Sequence, residues 1–503
     1  MRKLAILLFS GITGITLLLL AGCGTTASNV ASSATGSQVS LSMTDDPPNG
    51  VTVLFFQIGI TSATLTPSSG SGSVSLLSGS TPIEVDVTQL QALSAFLSTA
   101  SVPAGTYKSL SITFANPQLV IYNASDSSIA STCAIGTVCE LTPTIDDSAT
   151  LNFTSAPFPV TVSASSPLGF LLDFHLNNVI QSDLSVNLGA TNGVSVSELP
   201  STHPQFGFLT GTVANVNASG DQFSLITRDG RTFTIDTNTS TTFDDFPSSD
   251  CSTASISCLV SGEVVQIQVA SVESKGVLLA SNVTYEQAAG QQTAEGNIIA
   301  LNTSGSSTVM TLILHRTPFN SDSLPLGGMA QVTVGGSATF SIDSNGFTLP
   351  SGLAFTGTSD LYVGQEVTVD VAAGTLTTSD SPSGNGKWGP PPSASFTTDT
   401  VELEPSQVTG SVSAVTSSTS SFTLSSPPSL YFGRWSSGSW TPTTINVDTT
   451  SQTNYYNLNP DNFSGIATNG IVSVRGWLFA PASSSTSPTV AAEDIVGRPN
   501  RFF

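Results

Sequence analysis

Beyond Pro200 the chain runs three times through the same order of short segments. Each pass opens with Gly-x-Val or Gly-x-Ile, at Gly211 to Val213, Gly296 to Ile298 and Gly410 to Val412. Phe223-x-Leu225, Met310-x-Leu312 or Phe422-x-Leu424 follows, and then Ile235-Asp236-Thr237, Ile342-Asp343-Ser344 or Val447-Asp448-Thr449. A second glycine (Gly262, Gly364, Gly470) precedes Val265 and Ile267, Val367 and Val369, or Val472 and Val474. The last segment covers Ala280 to Val283, Thr398 to Val401 or Ala492 to Ile495. Alternation with a period near two is the mark of a strand with one buried face. A shared order with unequal gaps is the mark of diverged copies with variable loops. About five strands per copy predicts three small OB-like β-barrels, over 205–287, 293–404 and 406–497. Gly386-Lys-Trp-Gly-Pro-Pro-Pro392 reads as a stiff loop inserted into the second.

The stretch before the repeats, 39–200, alternates in the same way. Val51 to Ile58, Ile83 to Val87, Leu110 to Phe114, and Leu172, Phe174 and Leu176 between Asp173 and His175 each show one apolar face. A sandwich of antiparallel sheets buries such faces most simply. A short helix is expected at Thr88 to Leu97, where Leu90, Leu93 and Leu97 fall on one side, followed by a turn at Pro103-Ala104-Gly105. Composition agrees with an all-β chain. Only 9% of residues are charged, with 43 Gly and 28 Pro, whereas helix surfaces normally draw on Glu, Lys and Arg. A helical bundle or large α/β enzyme is therefore excluded. Lys and Arg number 12 against 34 Asp and Glu, a net charge of −22, and no basic stripe is present, so no nucleic-acid partner is expected.

The N-terminus carries Arg2 and Lys3, an apolar run from Leu4 to Leu20, and then Leu20-Ala21-Gly22-Cys23. This is an export signal over 1–22, short for a membrane-spanning helix of about 20 residues. Its last four residues resemble the lipobox of bacterial lipoproteins, which implies cleavage before Cys23 and lipid attachment to its thiol. Gly24, where an aspartate would favour retention in the inner membrane, implies the outer membrane, with multiple acyl chains as the anchor. Residues 23–38 then form a small, polar tether. Of 5 Cys, four remain. They allow three pairings, and export with sequence proximity favours Cys133 with Cys139 and Cys251 with Cys258. A zinc site is not expected, since neither pair has ligand spacing with histidines nearby.

Ser42-Met-Thr-Asp-Asp-Pro47, Ile83-Glu-Val-Asp-Val-Thr88 leading to Leu90, Val102-Pro-Ala-Gly-Thr-Tyr107 and Leu171-Leu-Asp-Phe174 together resemble the bacterial domain of unknown function family 4382. The resemblance spans about a third of the chain and implies an exported, immunoglobulin-like β-sandwich. The first repeat, through Gly211-x-Val213, Phe223-x-Leu225, Ile235-Asp236 and Gly262-Glu-Val-Val, resembles the domain of unknown function family 5666.

No catalytic constellation stands out. His175, His203 and His315 lie on distant segments, and no Gly-x-Ser-x-Gly elbow accompanies them. Asp45-Asp46, Asp146-Asp147 and Asp244-Asp245 are adjacent pairs, which on a strand point to opposite sides. Asp236, Asn238, Asp244 and Asp245 offer hard oxygens for calcium without EF-hand spacing, and read as turn residues. No metal or cofactor is expected. Tyr431, Phe432, Arg434, Trp435 and Trp440 form the strongest candidate ligand surface, suited to stacking on a glycan or an envelope protein. The expected function is a non-enzymatic cell-envelope lipoprotein that binds, adheres or scaffolds; the alternative is a membrane-anchored hydrolase acting on polysaccharide or peptide.

Overall fold

The computed structural model describes residues 36–498 apart from 47–51, 71, 78, 80, 124–127, 129–130, 132, 135, 165, 200–206, 248–250, 252, 274–275, 304–306, 317–323, 345, 380–387, 390–392, 426–443 and 483–485. Its N-terminal part is two β-sheets packed face to face. One sheet runs in the order Val194–Leu199, Leu168–His175, Gly36–Asp46, Ala95–Pro103, with the middle pair parallel. The other is built on two long antiparallel strands, Thr52–Pro67 and Gly105–Tyr122. Shorter strands pair along both, among them Ile83–Asp86 and Val138–Leu141. Alternating residues of each sheet meet in the middle: Leu41, Leu172 and Phe174 from one, Ile58, Ile112 and Phe114 from the other. Phe114 and Phe174 touch edge to face across the layers, ring centroids 5.6 Å apart.

Three five-stranded barrels follow. The first uses Phe208–Asn217, Gln222–Ile226, Thr232–Asp236, Val264–Val272 and Leu278–Gln287. The second uses Thr293–Asn302, Val309–Arg316, Met329–Ile342, Glu366–Asp370 and Ser393–Glu404. The third uses Ser406–Thr416, Ser421–Ser425, Thr444–Asp448, Ile471–Phe479 and Thr489–Arg498. In all three, the first strand pairs with the second and fourth, the second with the third, and the fifth with the fourth. A parallel contact between third and fifth closes the circle. This is the strand order of an OB-like barrel.

The register accounts for the glycine that opens each repeat. Val213 faces Leu225, Ile298 faces Leu312 and Val412 faces Leu424 on the second strand. Gly211, Gly296 and Gly410 face Val265, Val367 and Val472 on the fourth. A Cβ on Gly211 would stand 2.7 Å from the Ile226 carbonyl oxygen, and one on Gly410 3.0 Å from that of Ser425. The motif thus records a close backbone approach where the first strand coils between its neighbours.

The units lean on one another. Trp477 and Phe479, from the third barrel's fourth strand, lie in the core of the second, where the Trp477 indole donates to the Asp343 carbonyl at 2.6 Å. Leu54, Phe55 and Tyr122 on the outer face of the sandwich pack with Ile299 and Ile313 of the second barrel. The inserted loop of that barrel does more than span a gap. Its residues Trp388–Gly389 add a two-residue edge strand to Val138–Leu141 of the sandwich.

The helix expected at Thr88 to Leu97 is a correction. Only one 3-10 turn forms, Val87–Leu90, opened by the Asp86 side chain accepting from the Thr88 amide. The chain then extends into Ala95–Pro103, because pairing with Gly36–Asp46 supplies those backbone groups with partners that an isolated short helix would lack. Leu90 and Leu97 still reach the sandwich core.

Candidate functional site

Several residues singled out from sequence lie outside the described residues: Cys23, His203 and the whole of Tyr431, Phe432, Arg434, Trp435 and Trp440. Cys133 and Cys139 stand at disulfide distance with Cα atoms 5.5 Å apart, and Cys251 and Cys258 with 5.4 Å. The first pair sits in the sandwich core beneath Asn123, whose amide donates to the Cys133 carbonyl at 3.1 Å. Asp146 takes the Ser185 hydroxyl, Asp236 takes the Gln222 amide at 2.6 Å, and Asp244 takes the Asn282 amide, so these carboxylates are held by strand and turn neighbours. His175 lies 3.7 Å from Asp173 on the same strand. His315 is different, and it leads to a site that the sequence did not disclose.

That site is organised by one segment of the sandwich, Ile83 to Leu97, which meets all three barrels. Asp86 uses one carboxylate oxygen to cap the 3-10 turn and the other to bond Nδ1 of His315, on the second barrel, at 2.7 Å. Gln407 of the third barrel accepts from the Ala92 amide at 2.8 Å and donates to the Gln89 carbonyl at 2.6 Å. Thr409 and Arg498 of the same barrel donate to the side chain and carbonyl of Gln91. Toward the first barrel, the Phe208 amide donates to the Ser94 carbonyl at 2.8 Å and Arg231 donates to the Leu97 carbonyl. Phe96 leaves the sandwich altogether, packing in the first barrel's core with its ring 6.0 Å from that of Phe233. Gly207 makes this seam possible. Its φ is +118°, and a Cβ there would come within 2.5 Å of the Ser94 carbonyl oxygen.

Around this segment lies a cavity of about 570 Å³ lined from all four units. Its size suits a small-molecule ligand. Twelve Asp, Glu, Lys and Arg side chains reach it, in a chain with only 12 Lys and Arg and 34 Asp and Glu. The arginines are engaged. Arg231 pairs with Asp229 at 2.7 Å, Arg316 with Glu286 at 2.5 Å and with Glu295, and Arg475 with Glu493. Arg228 also has a partner. Burial depresses the Arg231 guanidinium, a loss that Asp229 partly offsets. For Arg316 burial pulls the same way, but Glu286 and Glu404 outweigh it and hold the charge more firmly than usual.

The acids are less well balanced. Burial raises Glu366, although His315, Arg475 and Arg316 pull it back. Glu404 is pushed well above the usual carboxylate range by burial, then by Asp343 and Glu286. Burial raises Glu286 against the pull of Arg316. His315 would be lowered by its burial, yet Asp86 and Glu366 together bring it above the ordinary imidazole value. Its Nε2 is buried with no hydrogen-bond partner among the described residues. Among the described residues no group of three or more His, Cys, Asp or Glu is arranged to hold a metal ion.

Sequence reasoning placed Asp86 in a strand-and-turn motif and His315 at a strand end. Nothing local could have joined them across 229 positions. The one usable signal was the scarcity of charge, since in so uncharged a chain any Arg flanked by apolar strand residues invites a search for its counterion.

Residues 36–192 match the family model described as Domain of unknown function (DUF4382). The match covers the sandwich up to its last strand, Val194–Leu199, and includes Ile83 to Leu97. No curated protein matches the chain.

Proposed function

We propose that this is a non-enzymatic, lipid-anchored protein of the bacterial outer membrane that binds a small polar ligand, a glycan or an envelope component, in the cavity between its four units. The observation that carries the reading is the cavity itself: ligand-sized, lined from every unit, and rich in polar groups that point to binding. Arg231, Arg316 and Arg475 around it are held in ion pairs, and among the described residues the buried imidazole has no hydrogen-bond partner at Nε2. That arrangement supports recognition over hydrolysis. The lipobox at Leu20 to Cys23 supports the anchor.

The test is a binding screen of glycans and envelope polymers on the soluble chain from Gly24 onward, with hydrolysis followed in the same wells. Saturable binding that Arg228→Ala weakens, without product formation, is the expected result. Turnover of any polymer would replace this reading by the hydrolase. Intact mass of the membrane-extracted protein should show a chain starting at Cys23 with acyl groups, and a Cys23→Ser protein that is still cut and still membrane-bound would remove the anchor.

A further inference from the structure

The junction that joins the four units is short of positive charge. The sandwich contributes Asp86, the first barrel Asp245 and Glu286, and the second barrel Glu295, Asp343, Glu366, Glu402 and Glu404. The cations facing them are Arg228 and Arg231 of the first barrel, the latter already held by Asp229, His315 and Arg316 of the second, and Arg475 of the third, already held by Glu493, so the acids still outnumber them. Glu366 and Glu404 are 4% and 8% exposed, and the His315 side chain 3%. Carboxylates so buried and so outnumbering their counterions cannot all be ionised together. Separating the units would return each to water, where it ionises freely.

We propose that the junction is a proton-held clamp: the barrels stay seated on the sandwich while protons neutralise its buried carboxyls, and they loosen as the pH rises. The groups act in one direction. Glu286, Glu366 and Glu404 bind protons more tightly in the assembled chain than as free carboxyls in water, and His315 more tightly than a free imidazole. Asp245 is an exposed residue, yet its carboxyl sits against Asp343 across the two barrels. Loss of solvent around it, then Asp343 and Asp244, raise it to about 8. A group whose value is raised in the seated state favours seating fully below its free value, and that contribution disappears as the pH climbs through the raised one. The window therefore opens just above the free carboxyl range and extends to about pH 8.

Amide hydrogen exchange of the full chain reads the clamp directly. The Phe208 and Ala92 amides bond across the seams with the first and third barrels, whereas the Val213 amide bonds to Glu263 within the first barrel. After correction for intrinsic exchange, protection at the two seam amides should fall by at least about tenfold per pH unit between pH 6 and 8, one proton's worth. Val213 should hold steady. A seam that follows the course of Val213 would overturn the proposal. Glu366→Gln with Glu404→Gln, fixed mimics of the protonated state, should flatten the slope, and an unchanged slope would also overturn it. Should that pair fail to fold, the exposed Asp245→Asn provides the second measurement: its slope between pH 6 and 8 should be shallower than that of the parent chain, and an identical one counts against the clamp.

Discussion

Phe96 and Leu97 are neighbours in sequence whose side chains serve different cores, and this predicts a separation of effects. Successive residues of a strand point to opposite faces. Leu97, 1% exposed, belongs to the sandwich core, and Phe96, 2% exposed, to the first barrel's. Truncating a buried Phe to Ala costs about 3–5 kcal/mol, with the edge-to-face pair to Phe233 placing Phe96→Ala toward the upper part. At about 1.4 kcal/mol per power of ten, that is a fall in exchange protection of between about two and three and a half orders of magnitude. The fall should appear at Phe223 to Leu225 of the first barrel, although the substitution lies in the sandwich sequence. Leu97→Ala, costing about 2–5 kcal/mol, should instead expose Phe170 to Leu172. Native-state exchange followed by mass spectrometry distinguishes them. If both substitutions weakened the same unit, or Phe96→Ala spared the first barrel, the assignment of Phe96 across the seam would be refuted.

Three further outcomes are expected. Asp370 accepts from the Thr398 hydroxyl and the Asp399 and Thr400 amides, and these bonds outweigh its burial to depress its carboxyl; Asp370→Asn should therefore lower the melting temperature at neutral pH, with the difference vanishing as acid protonates the parent chain, and a difference constant with pH would contradict this. Peptide mapping without reduction should return Cys133 joined to Cys139 and Cys251 to Cys258; a Cys133 to Cys258 peptide would rule that pairing out. For a ligand from the screen whose binding Arg228→Ala leaves intact, Trp435→Ala with Trp440→Ala should abolish binding while leaving the melting temperature nearly unchanged, and a loss of stability with affinity intact would assign the two indoles to packing.

The barrels were legible in the sequence because the constraint that shapes them is local. A glycine must stand where the first strand is crowded, and the alternating run after it must face inward, so Gly211, Gly296 and Gly410 recur whatever the loops between them do. The Thr88 to Leu97 stretch misled for a related reason. Leu90, Leu93 and Leu97 have helical spacing, but Leu90 is placed by a capped turn and Leu97 by strand pairing. The junction was hidden because its partners are hundreds of positions apart and of ordinary type, Asp86 with His315 and Gln89 with Gln407. Long-range charge pairing leaves no periodicity to read.

Trp477 in the core of the second barrel bears on how such an array can change over time. A duplicated unit that lends an indole and Phe479 to its neighbour is no longer a spare. Losing the last copy would hollow out the middle one, and inserting a fourth between them would part Trp477 from Phe347, its ring companion at 5.0 Å. Copies that began as equals have become mutually dependent organs of one body, and the number of barrels in this lineage is expected to be far harder to alter than the length of any loop.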